Sequence, residues 1–296
     1  VVYGFAYAFL TAVADKPSAV VLGHDLRDSS PIIASACAKA AQDLGVTVDY
    51  VGALPTPAIA YYAGVLGSPA IVVTGSHIPF DRNGIKFYTA SGEITKADEQ
   101  AINNAPVTLP TSLSTELPPA NPAAYEAYCQ RYVDCYAGCL EGRKLAIYQH
   151  SSVGRDLFAD LFQRLGASVL ALGRTDQFVP IDTEAVGRED HERAKAWARE
   201  YDFDVLFSTD GDADRPLIGD ANGQWLRGDR LGVLCAKALG ADAVVTPVSS
   251  NSVVSECGAF VRVERTKIGS PYVIDGMQAL QSSFASVVGF VANVGF

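Results

Sequence analysis

The sequence repeats one local order: a short apolar run, a polar turn, a helix-like stretch and a second apolar run. In the first copy, residues 18–22 and 46–51 are the apolar runs, and residues 31–44 lie between them. Ser30 and Pro31 are typical of a helix start, with the serine as N-cap, and Gly45 is typical of a helix end. Two strands joined through a helix predict a parallel pair with a right-handed crossover.

Two further stretches repeat this order. Residues 144–148, 155–165 and 167–172 form a second strand–helix–strand pattern, and a third begins at Ala243 and continues to residue 265. A segment rich in proline, residues 105–122, interrupts the chain between the first two copies, and Gly142 marks a boundary after the next helix. The pattern therefore predicts an α/β protein with domains at residues 1–140, 141–240 and 241–296.

Composition narrows the classes of function. The 296 residues carry a net charge of −10, which disfavours binding to nucleic acid because few basic groups are left to neutralise phosphates. The apolar opening, residues 1–14, is too short to span a bilayer and reads as a buried helix. The six cysteines follow no metal or disulfide spacing and are expected to be small buried side chains. These features predict a cytoplasmic protein that does not bind membranes, and they leave its oligomeric state open.

A polar turn directly follows the apolar run at residues 70–73. It contains Ser76 and His77, and the turn-forming pair Asn83–Gly84 precedes Lys86. Open α/β sheets place ligand chemistry at the ends of strands, so a hydroxyl, an imidazole and an amine on one loop suit group transfer. The alternative is a surface turn in which the serine caps the backbone. Arg27, close to Asp25, is expected to form an ion pair within its domain.

A second polar turn follows the apolar run at residues 205–209. Asp210, Asp212 and Asp214 stand at every second position, with Arg215 next to them. Carboxylates at this spacing can converge on a hard cation such as Mg²⁺. An EF-hand loop is excluded, because its sixth position would be Arg215 instead of glycine and its twelfth Ala221 instead of glutamate. A dehalogenase-type phosphatase, with Asp210 as nucleophile, fits poorly and leaves the serine turn unexplained.

These two turns resemble loops of the α-D-phosphohexomutases. TGSHIPFDRNGIK, residues 74–86, resembles their serine loop, and DGDADR, residues 210–215, resembles their metal loop. The resemblance implies tandem three-layer α/β/α domains with mixed, mostly parallel sheets. It also implies that Ser76 carries a phosphoryl group, that Lys86 is a general acid/base with a pKa lowered by cations such as Arg215, and that His77 orients the loop or substrate. The implied Mg²⁺ ligands are Ser76, Asp210, Asp212 and Asp214.

The implied reaction interconverts hexose 1-phosphate and hexose 6-phosphate of mannose or glucose, through phospho-Ser76 and a hexose 1,6-bisphosphate that serves as activator and intermediate. RTKIGSPYV, residues 265–273, resembles a sugar-contact loop, which places Lys267, Gly269 and Ser270 near the phosphosugar. Asn293 is a further expected contact. Phosphoglucosamine mutase and a phosphosugar-binding protein without catalysis remain open as alternatives.

One stretch departs from the resemblance. In residues 289–296, GFVANVGF, Val291 stands where the family has a glutamate and Val294 where it has a glycine. Valine cannot accept a hydrogen bond from a sugar hydroxyl. The given sequence also contains no match to the family's fourth domain or to its amino-terminal glycine-rich loop. We therefore expect this chain to turn over weakly or not at all.

Overall fold

The computed structural model describes residues 1–76, 78–79 and 81–292. The chain divides into two compact units. Unit 1 contains Val1–Pro180 together with Asp210–Asp214, and unit 2 contains Ile181–Thr209 and Arg215–Phe296.

Unit 1 begins with a five-stranded sheet in the order β2-β1-β3-β4-β5. β1 is parallel to both β2 and β3, whereas β4 and β5 extend the sheet in the antiparallel sense. The strands are β1 Ala19–His24, β2 Thr47–Ala53, β3 Ala70–Val73, β4 Ile85–Thr89 and β5 Gly92–Glu93. Because the first three strands are parallel, their carboxyl ends meet at one edge of the sheet, and the turn that carries Ser76 leaves from that edge.

Helices cover both faces of this sheet. Val20 and Leu22 of β1 pack with α1 and α2 in one apolar cluster, while Val21 packs with α3 and α5 in another. Alternate residues of a strand point to opposite faces, so this division is the signature of a three-layer α/β/α arrangement. The helices of unit 1 are α1 Val2–Ala12, α2 Ser30–Asp43, α3 Thr56–Leu66, α4 Lys96–Asn104, α5 Ala123–Tyr136 and α6 Arg155–Arg164.

The start of α2 differs from the prediction. The residue before the helix is Ser29, and no side chain caps the helix there, whereas Ser30 is already helical. The Ser30 hydroxyl instead donates to Asp25 Oδ1. The predicted N-cap at Ser30 is therefore wrong, because a buried carboxylate competes with the helix backbone for that hydroxyl.

A second parallel pair completes unit 1. β6 Lys144–Tyr148 pairs in register with β7 Ser168–Leu172, and α6 connects them. Leu157 and Leu161 of α6 belong to the same apolar cluster as α3 and α5.

Unit 2 contains an antiparallel pair and a parallel three-stranded sheet. β8 Val205–Thr209 pairs with β9 Pro216–Asp220, and β10 lies between β11 and β12 in the parallel sheet. The remaining elements are α7 Arg188–Glu200, α8 Gly228–Ala238, β10 Ala243–Pro247, α9 Val253–Glu256, β11 Arg262–Thr266, α10 Ser270–Leu280 and β12 Val287–Gly289.

The predicted α/β class, with open mixed and parallel sheets, is confirmed. The predicted domain boundaries at residues 140 and 240 stay a prediction. Cys135, Cys139 and Cys257 are exposed, so the expectation of buried cysteines holds only for Cys37 and Cys129. Within the described ranges, no helix combines the length and the apolar character needed to cross a bilayer.

Candidate active site

Ser76 lies in the turn after β3, which we call the serine loop (residues 74–84). Its backbone has φ +49°, in the left-handed region that non-glycine residues rarely adopt. The Ser76 amide donates to Thr74 Oγ1 at 2.8 Å, and its hydroxyl donates to Asp210 Oδ2 at 2.7 Å. The hydroxyl is thus aimed at the acidic turn, 134 residues away along the chain.

Asp25, the residue after β1, binds the start of the serine loop. Its Oδ2 accepts hydrogen bonds from the Thr74 hydroxyl at 2.9 Å and from the Gly75 amide at 3.3 Å. Asp25 is buried, and burial makes each unmet hydrogen bond costly. The carboxylate therefore fixes the first two residues of the loop, on which the position of Ser76 depends.

Asp210, Asp212 and Asp214 form the acidic turn, and one carboxylate oxygen from each lies within 4.8 Å of the other two. Asp210 and Asp212 are fully buried. Thr56, the first residue of α3, donates from Oγ1 to Asp212 Oδ2 at 2.7 Å and from its amide to Asp212 O at 3.0 Å. The start of α3 therefore positions the middle carboxylate.

Gly211 allows the acidic turn to approach the serine loop closely. A Cβ at position 211 would lie 3.0 Å from the Ser76 carbonyl oxygen and 2.9 Å from the ring of Phe178. Larger side chains cannot occupy this position without moving one of the two loops.

Lys86 enters the same cluster from strand β4. Its Nζ lies 2.8 Å from Asp212 Oδ2 and 2.6 Å from Asp214 Oδ2. β4 is antiparallel to β3, and Lys86 is paired with Val72, so the strand returns the ammonium to the edge that carries Ser76. This pairing brings Lys86 to the acidic turn that also binds Ser76.

The electrostatics of the cluster are strongly coupled. Burial raises the pKa of Asp210 to about 8, and the neighbouring carboxylates of Asp212 and Asp214 act in the same direction. Burial also acts to raise the pKa of Asp212, but the Lys86 ammonium and the Thr56 hydroxyl outweigh it and lower that pKa. The cluster thus separates two buried carboxyl groups into one that holds a proton readily and one that stays ionised.

The pKa of Lys86 shifts opposite to the expectation. Burial would lower it, yet the carboxylates of Asp212 and Asp214 outweigh burial and raise the pKa above its ordinary value. The expected lowering by Arg215 is therefore wrong, because the groups that touch the ammonium are anions.

The acidic turn fits a divalent cation. Asp212 Oδ1 is buried and accepts no hydrogen bond from a lysine, hydroxyl or backbone donor among the described residues. A buried carboxylate oxygen without a donor is costly, and a hard cation with oxygen ligands would satisfy it. Lys86 and Thr56 occupy Oδ2, so Oδ1 is the oxygen left for a cation.

The other residues predicted for the site belong to unit 2 or lie outside the described residues. Arg215 belongs to unit 2 and is half-buried. Lys267, in the loop before α10, and Ser270, the first residue of α10, also belong to unit 2 and are exposed. Gly269 precedes α10 with φ +131°, and the Lys267 ammonium lies 5.6 Å from the centre of the Tyr272 ring. His77, Asn293 and Val294 lie outside the described residues. Val291 is half-buried.

Sequence reasoning missed three residues of this site. Thr56 was not singled out, although a threonine before Pro57 is typical of a helix start. Arg27 was expected only to pair with Asp25, and Phe178 carried no signal. Their roles depend on contacts between segments far apart in sequence, which a local motif cannot reveal.

Comparison with known proteins places these loops in a family. Residues 1–107 match the family model "Phosphoglucomutase/phosphomannomutase, alpha/beta/alpha domain I", and residues 227–290 match the model of alpha/beta/alpha domain III. A protein named phosphomannomutase from Salmonella muenchen is 49% identical over 294 residues, which cover 99% of this chain. The chain belongs to the phosphoglucomutase/phosphomannomutase family, within the α-D-phosphohexomutase superfamily. The predicted family is thereby confirmed.

Other family members show the extent of the match. A phosphomannomutase from Sinorhizobium fredii is 44% identical over 304 residues, covering 98% of this chain. The chain spans 62% of the Salmonella protein and 64% of the Sinorhizobium protein. Proteins named phosphoglucosamine mutase match at lower identity, for example 34% and 31%.

A solved structure from the same family supports the fold. The phosphoglucomutase/phosphomannomutase family protein from Burkholderia thailandensis matches 99% of this chain and 66% of its own, with a TM-score of 0.77 and 23% identity. At this identity the likeness concerns the fold alone.

Proposed function

We propose that this chain carries the phosphoryl-transfer centre of a phosphohexomutase that interconverts hexose 1-phosphate and hexose 6-phosphate, with mannose or glucose as the sugar. Phospho-Ser76 would donate its phosphoryl group to a free hydroxyl of the substrate. The resulting hexose 1,6-bisphosphate would then return its other phosphoryl group to Ser76. The names of the relatives at 49% and 44% identity support mannose, and the description of the family model names both sugars.

One observation carries the proposal. The Ser76 hydroxyl lies 2.7 Å from Asp210, and the same acidic turn holds the Lys86 ammonium through Asp212 and Asp214. Phosphoryl transfer needs mainly positioning and charge stabilisation around the transferred group. A buried hydroxyl, a cation-binding turn and an ammonium group within one compact unit provide those elements.

Asp210, Asp212, Asp214 and Ser76 would hold Mg²⁺, as the fit of the acidic turn indicates. Bound there, Mg²⁺ would act as a Lewis acid that neutralises charge on the phosphoryl oxygens.

Ser76, Lys86 and Asp210 would each have a different role in the transfer step. When the phosphoryl group leaves Ser76, its P–O bond breaks, a new P–O bond forms to the sugar hydroxyl, and that hydroxyl loses its proton. Ser76 Oγ gains a proton in exchange. Lys86, with its raised pKa, holds a proton at Nζ, would give it to Ser76 Oγ and would take up the proton that the sugar hydroxyl loses, so that no net proton is released. As an ammonium it would also be a cation facing the phosphoryl oxygens. Asp210 orients the free Ser76 hydroxyl through its hydrogen bond.

The remaining sites stay predictions. Arg215 would supply a positive charge near the acidic turn, and His77 would orient the loop or the substrate. Contacts to the sugar phosphate would come from Lys267, Gly269, Ser270 and Asn293. A cytoplasmic location and the absence of nucleic-acid and membrane binding also stay predictions.

Phosphoglucosamine mutase is the second candidate, because relatives with that name match most of the chain. The two candidates share the serine and metal chemistry and differ in the substituent at the second carbon of the sugar. Assays with mannose, glucose and glucosamine 6-phosphates would separate them.

The test is transfer of a phosphoryl group to Ser76. The protein is incubated with glucose 1,6-bisphosphate and Mg²⁺, and intact-mass and peptide mass spectrometry locate any added phosphoryl group. We expect one group on Ser76, no labelling of Ser76→Ala, and full labelling of the exposed control Ser91→Ala.

Three outcomes would contradict the proposal. Labelling that persists in Ser76→Ala would exclude this serine as the carrier. A hydroxylamine-sensitive acyl phosphate on Asp210 would point instead to a dehalogenase-type mechanism. A wild-type chain that binds the bisphosphate without labelling would support the phosphosugar-binding alternative.

A further inference from the structure

Arg27 is the largest of the fully buried side chains described in the structure. It follows β1 and precedes α2, and only 2% of its surface is exposed. Burying a guanidinium group is unfavourable unless its donors are all satisfied. The hydrogen-bond acceptors of Arg27 therefore indicate which part of the fold this side chain stabilises.

All five N–H donors of the guanidinium have acceptors. Nε donates to Asp25 Oδ2 at 3.1 Å, which is the ion pair expected from the sequence. The other four donors bind backbone carbonyls of the serine loop. Nη1 donates to Pro79 O at 2.8 Å and Arg82 O at 3.1 Å, and Nη2 donates to Ser76 O and Ile78 O, both at 2.8 Å.

The guanidinium is also packed against Gly75 and Phe178. A Cβ at position 75 would lie 2.7 Å from both Cζ and Nε of Arg27, so only glycine fits there. Arg27 Cζ lies 4.0 Å from the centre of the Phe178 ring, a cation–π distance. A Cβ at position 211 of the acidic turn would lie 2.9 Å from the same ring. Arg27 thus connects the serine loop with a side chain that lies next to the acidic turn.

The backbone of Ser76 needs such a support. Its φ of +49° is unfavourable for a residue with a side chain, and such conformations persist only when the surroundings hold them. The Ser76 carbonyl is bound by Arg27, its amide by Thr74 and its hydroxyl by Asp210. Of these three, only the bond from Arg27 fixes the orientation of the peptide group that follows Ser76.

We propose that Arg27 is a positioning residue for the phosphoryl carrier: it binds four carbonyls of the serine loop and keeps the Ser76 hydroxyl directed at the acidic turn. This inference rests on the proposed function of Ser76. It goes beyond an ion pair with Asp25, which would stabilise the fold without setting the reactivity of the serine.

Chemical rescue can distinguish positioning from stability. A cavity of about 580 Å³ lies beside Arg27, with Asp28, Asp81 and Asp176 on its lining. These carboxylates favour entry of a small cation. In Arg27→Ala, free guanidinium can reoccupy the place of the side chain and bind the same carbonyls, whereas urea has a similar shape and no charge.

The experiment compares wild-type protein, Arg27→Ala and Arg27→Lys, with Arg164→Ala as a control that removes a partly exposed arginine from the same unit. The first readout is the rate of Ser76 phosphorylation by glucose 1,6-bisphosphate. The second is amide hydrogen exchange of the segment 74–88. Each is measured without additive, with millimolar guanidinium chloride and with urea.

We expect Arg27→Ala to be phosphorylated roughly 100-fold more slowly, since a displacement of about 1 Å at a reacting group can cost that much. Exchange in segment 74–88 should rise, guanidinium should reverse both effects, and urea should not. Arg27→Lys should remain slow, because one ammonium cannot reach four carbonyls and a carboxylate. Arg164→Ala should match the wild type.

Gly75→Ala provides a second route if Arg27→Ala does not fold. The added methyl group displaces the guanidinium without removing it, so phosphorylation should slow while the far-ultraviolet circular dichroism remains native. Gly64→Ala is its control, because a Cβ at position 64 meets no atom within 4 Å.

The outcomes separate this inference from the proposed function. A wild-type chain that is phosphorylated on Ser76, with Arg27→Ala and Gly75→Ala equally fast, would overturn the role of Arg27 and leave the function standing. An unlabelled wild type would contradict the function, and the exchange data would still decide on Arg27. Unchanged exchange of segment 74–88 in Arg27→Ala would overturn the positioning role in either case.

Discussion

His24 is a buried imidazole with a partner at each ring nitrogen. Nδ1 lies 2.7 Å from the Asp25 carbonyl oxygen and Nε2 lies 2.8 Å from the Tyr50 hydroxyl. Only a donor can face a carbonyl, so Nδ1 carries the hydrogen and Nε2 accepts from Tyr50. Burial lowers the pKa of His24, because the charged form is disfavoured away from water.

A pH dependence of stability follows from this lowered pKa. Below about pH 6.5 the unfolded chain takes up a proton on this histidine, while the folded chain resists it. The contribution of His24 is therefore full above that pH and is lost as the pH falls toward the lowered pKa. We expect the free energy of unfolding in urea to drop more between pH 7.5 and pH 5.5 in the wild type than in His24→Asn.

Other groups titrate equally in both proteins, so the difference between the two slopes reports on His24. Equal slopes would show that the imidazole is not held neutral by its surroundings. The asparagine keeps a donor toward the Asp25 carbonyl, which limits the change to the titrating ring.

For single residues, the sequence predicted which side chains belong to the site better than it predicted which groups surround them. Ser76, Lys86 and the three aspartates could be selected because their spacing is local, and the structure brings all five together in unit 1. The direction of the Lys86 pKa could not be predicted, because it depends on which charges touch the ammonium. The Ser30 hydroxyl was misassigned for the same reason, since Asp25 lies within its reach only in the folded chain.

Among the elements, strand β4 determines where Lys86 lies. Its central residue, Phe87, is buried against α1, and the Phe87 and Phe9 rings stack with centroids 4.6 Å apart. Lys86 and Phe87 are neighbours on a strand and point to opposite faces. The packing of Phe87 on one face therefore fixes the ammonium on the other.

Phe87→Ala should lower the free energy of unfolding by about 3–5 kcal/mol, the usual cost of truncating a buried phenylalanine. Phe87→Leu should retain most of that stability, because it removes less volume. Phe5→Ala on α1 serves as the control, since that ring is 40% exposed and its loss should cost less. Urea denaturation measures all three. A similar loss for Phe5→Ala and Phe87→Ala would contradict a specific role for the β4 contact.

The elements with local signals were predictable from the sequence. The strand at residues 144–148 was predicted with the bounds that the structure has, because an apolar run between polar turns is a local signal. α3 was not predicted, although its packing places Thr56 at the acidic turn. The helix of the third copy is short, Val253–Glu256. Tertiary packing determines whether such helices form and how long they are, and these contacts cannot be read from a single sequence.

At the scale of the whole molecule, the proposed Mg²⁺ site at the acidic turn would link folding to the concentration of divalent cations. A ligand that binds only the folded state stabilises it, by about 2.7 kcal/mol at a concentration 100-fold above its dissociation constant. We expect Mg²⁺ to raise the thermal unfolding midpoint and EDTA to reverse the rise.

Asp212→Asn should abolish this shift, and the exposed control Asp134→Asn should keep it. Differential scanning fluorimetry at constant ionic strength separates binding at the acidic turn from general screening of charge. An equal shift in both variants would show that the cation acts on the net charge alone.

The family was predictable because its motifs are short and contiguous, and the relatives confirm it. The preferred sugar was not predictable. The residues expected to contact it are spread over several loops, and two of them, His77 and Asn293, lie outside the described residues.

The left-handed backbone at Ser76 also restricts which amino acid can stand there. Chemistry alone would accept any aliphatic alcohol as a phosphate acceptor, and threonine offers one. Its branched β-carbon, however, clashes with the main chain in this region of φ, ψ space. The geometry of the peptide chain therefore discriminates between two alcohols that phosphoryl chemistry would treat alike.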